Sequence, residues 1–234
     1  MKIIVPVAGR GRRFYPKSAY LPKCLIPVRG RLMIEWALDS IWHAPEDTIV
    51  IYHRTQRPLI VHALRGLLPQ ANLVEQTEPP EGPAHTVYQA KDSWRDDHDV
   101  VVVDCDVYSI SHYHRKGWPD FSGDGSVLTF RCLCPSKSYI KVRKGYVTTV
   151  AEKEVISDLA VGGIYHFRNG DGLHSALRDQ LGSAQKIDGE FYLSGAVNNY
   201  LRHFPRFLHF PAESFHDLGS PRGVQAFERS KKNT

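Results

Sequence analysis

Met1-Lys2-Ile3-Ile4-Val5-Pro6-Val7-Ala8-Gly9-Arg10-Gly11-Arg12-Arg13-Phe14 opens the chain, and its reading decides the fold. Lys2 to Val7 is short, β-branched and almost wholly apolar, the pattern of a strand covered on both faces. A strand of that kind belongs to an α/β sheet. Ala8 to Arg13 follows at its carboxyl end, where open α/β sheets place their ligands. Glycines there let backbone N–H groups approach a phosphate, while Arg12, Arg13, Lys17 and Lys23 supply charge and donors for its oxygens. A plain turn at Gly9 and Gly11 flanked by solvated arginines is the alternative. A dinucleotide fingerprint fits less well, since it needs glycine where Phe14 stands and a helix that Pro16 and Pro22 obstruct.

Working outward, Met33, Trp36, Ala37, Ser40 and Ile41 fall on one face of a helix within 31–43, a packing stripe. Thr48 to Tyr52 reads as a second strand and Asn72 to Glu75 as a third, with a helix marked by Ile60, Ala63, Leu64 and Leu67 between them. This βαβαβ alternation argues for a parallel sheet. Asp99 to Asp104 is another buried strand, ending in Asp104-Cys105-Asp106. Two carboxylates past the end of a central strand are costly to bury without cations. A hard divalent ion, Mg²⁺ with oxygen ligands, is the natural partner; the alternative is a surface aspartate capping a loose helix over 109–117, whose His112 and His114 are read as surface. Further strands follow at Ser126 to Arg131, Tyr139 to Arg143 and Tyr146 to Val150, the last two joined by a Lys144-Gly145 hairpin. The sheet is then mixed, with a second half devoted to another substrate. Asn198 and Asn199 read as the polar face of a helix, with no further role.

The 234 residues fit one domain, and the formal charge of +5 suits anionic ligands without requiring nucleic acid. Four cysteines show no paired metal spacing, and no stretch reaches transmembrane length. The expectation is a reduced, cytoplasmic protein with no integral membrane segment, for which a homo-oligomer remains open.

The residues also carry a family resemblance. Ala8-Gly9-Arg10-Gly11-Arg12-Arg13-Phe14, Pro22-Lys23, Leu25-Ile26-Pro27-Val28 and Met33-Ile34-Glu35-Trp36 resemble the opening signature of the sugar-phosphate nucleotidyltransferases. Well over a hundred residues later, Val147 to Lys153 and Gly163-Ile164-Tyr165-His166-Phe167 resemble that family's E-K-P and G-I-Y-x-F elements. Gly189-Glu190 and Phe215-His216-Asp217-Leu218-Gly219-Ser220-Pro221 resemble its acceptor and W-x-D-x-G-T-P elements, with Ser220 capping a last helix begun by Pro221. The chain departs from the pattern at Arg12, Pro83, Asp104, Glu154 and Gly195.

The resemblance implies an α/β, Rossmann-like nucleotidyltransferase fold with a mixed, mostly parallel central sheet, as one domain whose nucleotide half is about 1–120 and acceptor half about 121–234. It implies that a nucleoside triphosphate is joined to a sugar phosphate or other small phosphorylated acceptor with release of pyrophosphate. Catalysis would fall to Arg13 and Lys23, and nucleotide binding to Ala8, Gly9, Gly11, Arg12, Gln76 and Gly82. Acceptor contacts would come from Lys153, Gly163 and Glu190, and Mg²⁺ ligands from Asp106 and Asp217, with Asp104 open. Compact members tied to capsule or lipopolysaccharide precursors, lacking an added acyltransferase domain, are the nearest likeness. A glycosyltransferase using Asp104-Cys105-Asp106 as a D-x-D motif, and a non-catalytic nucleotide-sugar sensor, are the rival readings. Neither base nor acceptor follows from the sequence.

Overall fold

A computed structural model gives the fold and describes residues 1–96, 98–111 and 122–230. In chain order the first half contains β1 (Lys2–Pro6), the short pair β2 (Pro27–Val28) and β3 (Arg31–Leu32), α1 (Met33–Asp39), β4 (Thr48–His53), α2 (Arg57–Leu67), β5 (Asn72–Gln76), α3 (Pro83–Gln89), β6 (Val100–Val103) and β7 (Val107–Ile110). The second half contains β8 (Gly125–Arg131), β9 (Ser138–Arg143), β10 (Tyr146–Glu152), β11 (Leu159–Phe167), α4 (Gly170–Gly182), α5 (Leu193–Leu201), β12 (Phe207–Pro211), β13 (Ser214–Asp217) and α6 (Pro221–Arg229).

Nine strands form one mixed sheet, running β10-β9-β11-β6-β1-β4-β5, with β8 on β11 and β12 on β8. The four strands β6, β1, β4 and β5 are parallel, as the βαβ alternation requires, and β12 lies parallel to β8. β11 runs antiparallel to β6, β8 and β9 and so joins the two halves. Successive residues of β1 feed opposite faces of the sheet. Ile4 packs with α3, α4 and α5, whereas Ile3 and Val5 pack with α1 and α2. All three are fully buried, which stabilises by about 1.5–3 kcal/mol per side chain.

Several local expectations hold. Lys144 and Gly145 have φ of 52° and 83°, the left-handed pair of a two-residue hairpin turn. Ser220 caps α6 by accepting the Gly223 N–H at 3.1 Å. Three expectations change. The helix read over 31–43 stops at Asp39, and Ser40 turns inward, where its hydroxyl accepts the Ser109 N–H at 2.9 Å. Ser109 and Ile110 are not the start of a helix but the end of β7, paired with β13; His112 and His114 lie outside the described residues. Asn198 is not idle polar surface, because its amide bonds both the N–H and the C=O of Val150, at 2.8 and 2.6 Å. It thereby satisfies part of the open edge of β10.

Candidate active site

The chain leaves β1 with its backbone still on the sheet, the Val7 N–H donating to Ile51 O at 2.8 Å. Gly11 then takes φ +59°, and an added Cβ would stand 3.1 Å from Lys23 Cβ. The prolines prevent a long helix. Instead three single 3₁₀ turns follow, at Arg12–Phe14, Lys17–Ala19 and Lys23–Leu25. Phe14, Cys24 and Leu25 are buried anchors, which leaves Arg12, Arg13 and Lys23 free to face a cavity of about 800 Å³. Lys17 is exposed and lies off the cavity.

Two short strands bring the carboxylates to this cradle. β6 ends just before Asp104, while β13 pairs with β7 so that Asp217 stands opposite Val107, and Leu218 N–H donates to Asp106 O at 2.8 Å. Asp106 and Asp217 thus converge on Gly219, where an added Cβ would lie 2.5 Å from Asp106 Oδ2 and 3.0 Å from Asp217 Oδ1. Arg13 Nη1 donates to the Gly219 carbonyl at 3.1 Å, which ties the first loop to this turn.

Lys23 Nζ sits 2.7 Å from Asp106 Oδ2, with side-chain exposures of 23% and 18%. Burial alone would lower the pKa of Lys23, but Asp106, helped by Cys105 and Asp104, holds the ammonium well above its ordinary value. Burial would raise Asp106, and the Lys23 charge and hydrogen bond hold it below the usual carboxyl value. Asp104 goes the other way, raised by burial and by the Asp106 charge. Cys105, between them, is pushed up to about 12 by burial.

The opposite wall comes from the second half. Lys153, at φ +56°, donates from Nζ to Asp188 Oδ2 at 2.7 Å and to the Tyr192 hydroxyl at 2.8 Å. Glu152 accepts hydrogen bonds from the hydroxyls of Ser138 and Ser194, and burial raises its pKa against those donors. Gly163 has φ +74° and passes beneath Asp104, whose Oδ2 would lie 2.8 Å from an added Cβ. The two walls meet at Gly82, at φ +111°. An added Cβ there would be 2.5 Å from Phe191 O, and two backbone hydrogen bonds fasten the contact, Ala84 N–H to Phe191 O at 3.0 Å and Phe191 N–H to Glu81 O at 2.7 Å.

Of the candidate residues read from the sequence, all line this cavity except Lys17 and Gln76. Gln76 is 3% exposed and turns away, its amide donating to Glu78 O at 3.0 Å while Oε1 has no partner. Asp217 is less enclosed than its motif suggests, with 34% of its side chain exposed. The sequence reading passed over Lys137, Asp188 and Tyr192, which also line the cavity. Asp188 and Tyr192 flank the Gly189-Glu190 motif and could have been found from it, whereas Lys137 belongs to no pattern.

The cavity can take a polyphosphate between the arginine loop and Lys23, and a second anion near Lys153. Among the described residues no three His, Cys, Asp or Glu side chains group as a complete metal cage. A converging carboxylate pair nevertheless suits a hard ion that keeps waters and substrate phosphates as its other ligands.

Comparison with known proteins agrees with this geometry. The model of the MobA-like NTP transferase domain matches residues 3–117, the stretch that carries the arginine loop, Lys23 and Asp106. That match takes in just under half of the 234 residues. The chain is 28% identical over 211 residues to the bifunctional protein GlmU of Thermotoga sp. strain RQ2, covering 85% of the chain and 44% of that protein. It therefore spans less than half the length of the curated relatives of that kind. The nucleoside-diphosphate-sugar pyrophosphorylase from Vibrio cholerae RC9 superposes with a TM-score of 0.80 at 22% identity, over 97% of this chain and all of that one. A UDP-glucose pyrophosphorylase complexed with UDP-glucose gives 0.76 at 18% identity, over 98% of this chain and 99% of that one. At those identities the likeness establishes the fold alone, a mixed, mostly parallel sheet flanked by helices. Among the described residues no helix is long and apolar enough to cross a membrane.

Proposed function

We propose that the chain, as one domain with nucleotide and acceptor halves, transfers a nucleotidyl group from a nucleoside triphosphate to a sugar phosphate or another small phosphoester. The observation that carries this reading is the meeting of the arginine loop, Lys23, Asp106 and Asp217 in one cavity, with Lys153 on its far wall. An acceptor phosphate oxygen attacks the α-phosphorus. The bond from that phosphorus to the β-bridging oxygen breaks, and pyrophosphate leaves with the electron pair. A phosphate monoester is already anionic near neutral pH, so no protein base is needed; positioning and charge stabilisation supply the rate.

In this scheme the Ala8 to Arg12 backbone and the Arg12 side chain cradle the triphosphate. Arg13 and Lys23 stabilise charge on the α-phosphate and the leaving pyrophosphate. Gly82, where a side chain would strike Phe191, keeps room for the base. Lys153 holds the acceptor phosphate, with Gly163 and Glu190 beside it. Asp106 and Asp217 would hold Mg²⁺, which when bound supplies Lewis-acid neutralisation of phosphate charge. Gln76 would reach a base only by leaving its bond to Glu78. Products of this class are activated precursors for capsule or lipopolysaccharide synthesis, made from cytoplasmic substrates.

A glycosyltransferase has no use for the triphosphate cradle, and the family match over residues 3–117 favours nucleotidyl transfer. The test crosses four nucleoside triphosphates with a panel of phosphorylated acceptors. Pyrophosphate should appear only when Mg²⁺, triphosphate and acceptor are all present. Sugar transfer from a nucleotide-sugar, with no pyrophosphate from any triphosphate, would refute the reading.

A further inference from the structure

The cavity holds a third ion pair, besides Lys23–Asp106 and Lys153–Asp188, that the nucleotidyltransferase scheme leaves without a purpose. Lys137 Nζ lies 2.6 Å from Asp217 Oδ2, and the lysine side chain is only 20% exposed. The other oxygen of Asp217 accepts the Gly219 N–H at 2.9 Å. Both oxygens are therefore engaged, and a cation drawn to Asp217 meets the like charge of an ammonium 2.6 Å from Oδ2. The amide is fixed in its turn, whereas the lysine stem is flexible. Lys137 is the partner that must move.

Each carboxylate of the lining, Asp104 and Glu190 included, offers the released ammonium at most one charge. Asp106 already pairs with Lys23, Glu152 holds two hydroxyls, and Asp188 holds Lys153. The Lys137 carbonyl accepts the Lys153 N–H at 3.1 Å, which sets both lysines on the acceptor wall. An incoming phosphomonoester brings close to two negative charges near neutral pH. We propose that Lys137 is a second acceptor-phosphate lysine, parked on Asp217 until a divalent cation takes that carboxylate and then passed to the phosphomonoester of the acceptor. The inference rests on the nucleotidyltransferase reading for its substrate, though the exchange at Asp217 can be observed without turnover.

Lys137→Met and Lys137→Arg separate the outcomes. With Lys137→Met the acceptor KM should rise roughly ten- to a hundredfold, as loss of a charge-assisted contact does, while the triphosphate KM stays within about twofold. Lys137→Arg should restore most of the acceptor affinity, and its thermal unfolding reports whether the loop is intact. In substrate-free protein, Mn²⁺ titration followed by paramagnetic resonance should show tighter binding to Lys137→Met than to wild type, because Asp217 has lost its competitor. An unchanged acceptor KM, an equal rise in both KM values, or an unchanged Mn²⁺ affinity each overturns the inference. Should wild type release no pyrophosphate with any acceptor, it is the nucleotidyltransferase reading that fails, and the Mn²⁺ titration still decides whether Lys137 guards Asp217.

Discussion

Lys23→Met would show how much of the site's stability is charge. The substitution keeps an apolar stem and removes the ammonium 2.7 Å from Asp106. Breaking one side of a buried pair costs about 3–5 kcal/mol; the residual exposure of both side chains brings the expected loss to about 2–3 kcal/mol. Its dependence on pH has a definite sign. In wild type Lys23 holds Asp106 below its usual value of 3.8, so that contribution is present above 3.8 and is lost as pH falls through the lower folded value. In the variant, burial, the largest influence on Asp106, is opposed only by Lys137 and Arg13, so the carboxyl should rise and the variant should lose less stability than wild type as pH falls from neutrality. The gap between the two proteins should be widest near about pH 7.5 and smaller near about pH 4.5. Urea denaturation at both values measures it. A gap of the same size at both would refute the charge argument and assign the loss to packing. Turnover should fall by on the order of 10²-fold, as removal of a transition-state charge contact does.

Gly82→Ala should cost about 1–3 kcal/mol and weaken triphosphate binding, since the new methyl meets Phe191 O at 2.5 Å; an unaltered Tm would contradict that approach. Asp217→Asn removes an anionic ligand and should raise the Mg²⁺ concentration needed for half-maximal activity; an identical Mg²⁺ profile would take Asp217 out of the metal site. Lys153→Ala should raise the acceptor KM roughly ten- to a hundredfold and leave calorimetric binding of triphosphate near normal. A loss of triphosphate binding as large as that of Lys23→Met would place Lys153 on the nucleotide side.

What was legible in the sequence was local. The β1 run, the two-glycine loop and the prolines after it specify a strand and a chain of single turns, and Lys23 follows from its place between Pro22 and two buried anchors. The pairing of β7 with β13 was hidden, because it joins segments about a hundred residues apart and each is only four residues long. Without it Asp106 and Asp217 can be proposed as partners but not brought together. α4 was missed for a different reason. Gly170, Gly172 and Gly182 weaken its helical propensity, yet the first two are needed where Asp96 O and Phe204 crowd the helix to 2.6 and 2.5 Å of an added Cβ. Lys137 was missed because a single loop lysine carries no periodicity. Gln76 lies off the lining because a motif position specifies a backbone site and not a rotamer.

The seam at Gly82 and Phe191 bears on how the two substrates would influence each other. Because the turn assigned to the nucleotide and the segment assigned to the acceptor share two backbone hydrogen bonds, what restrains one restrains the other. Whichever substrate arrives first meets the entropic cost of stiffening both, and the second meets a surface already set. Linkage then requires the affinities to rise by one common factor, read by titrating each substrate in the presence and absence of an unreactive analogue of the other. Cutting the seam with Gly82→Ala should bring that factor toward one.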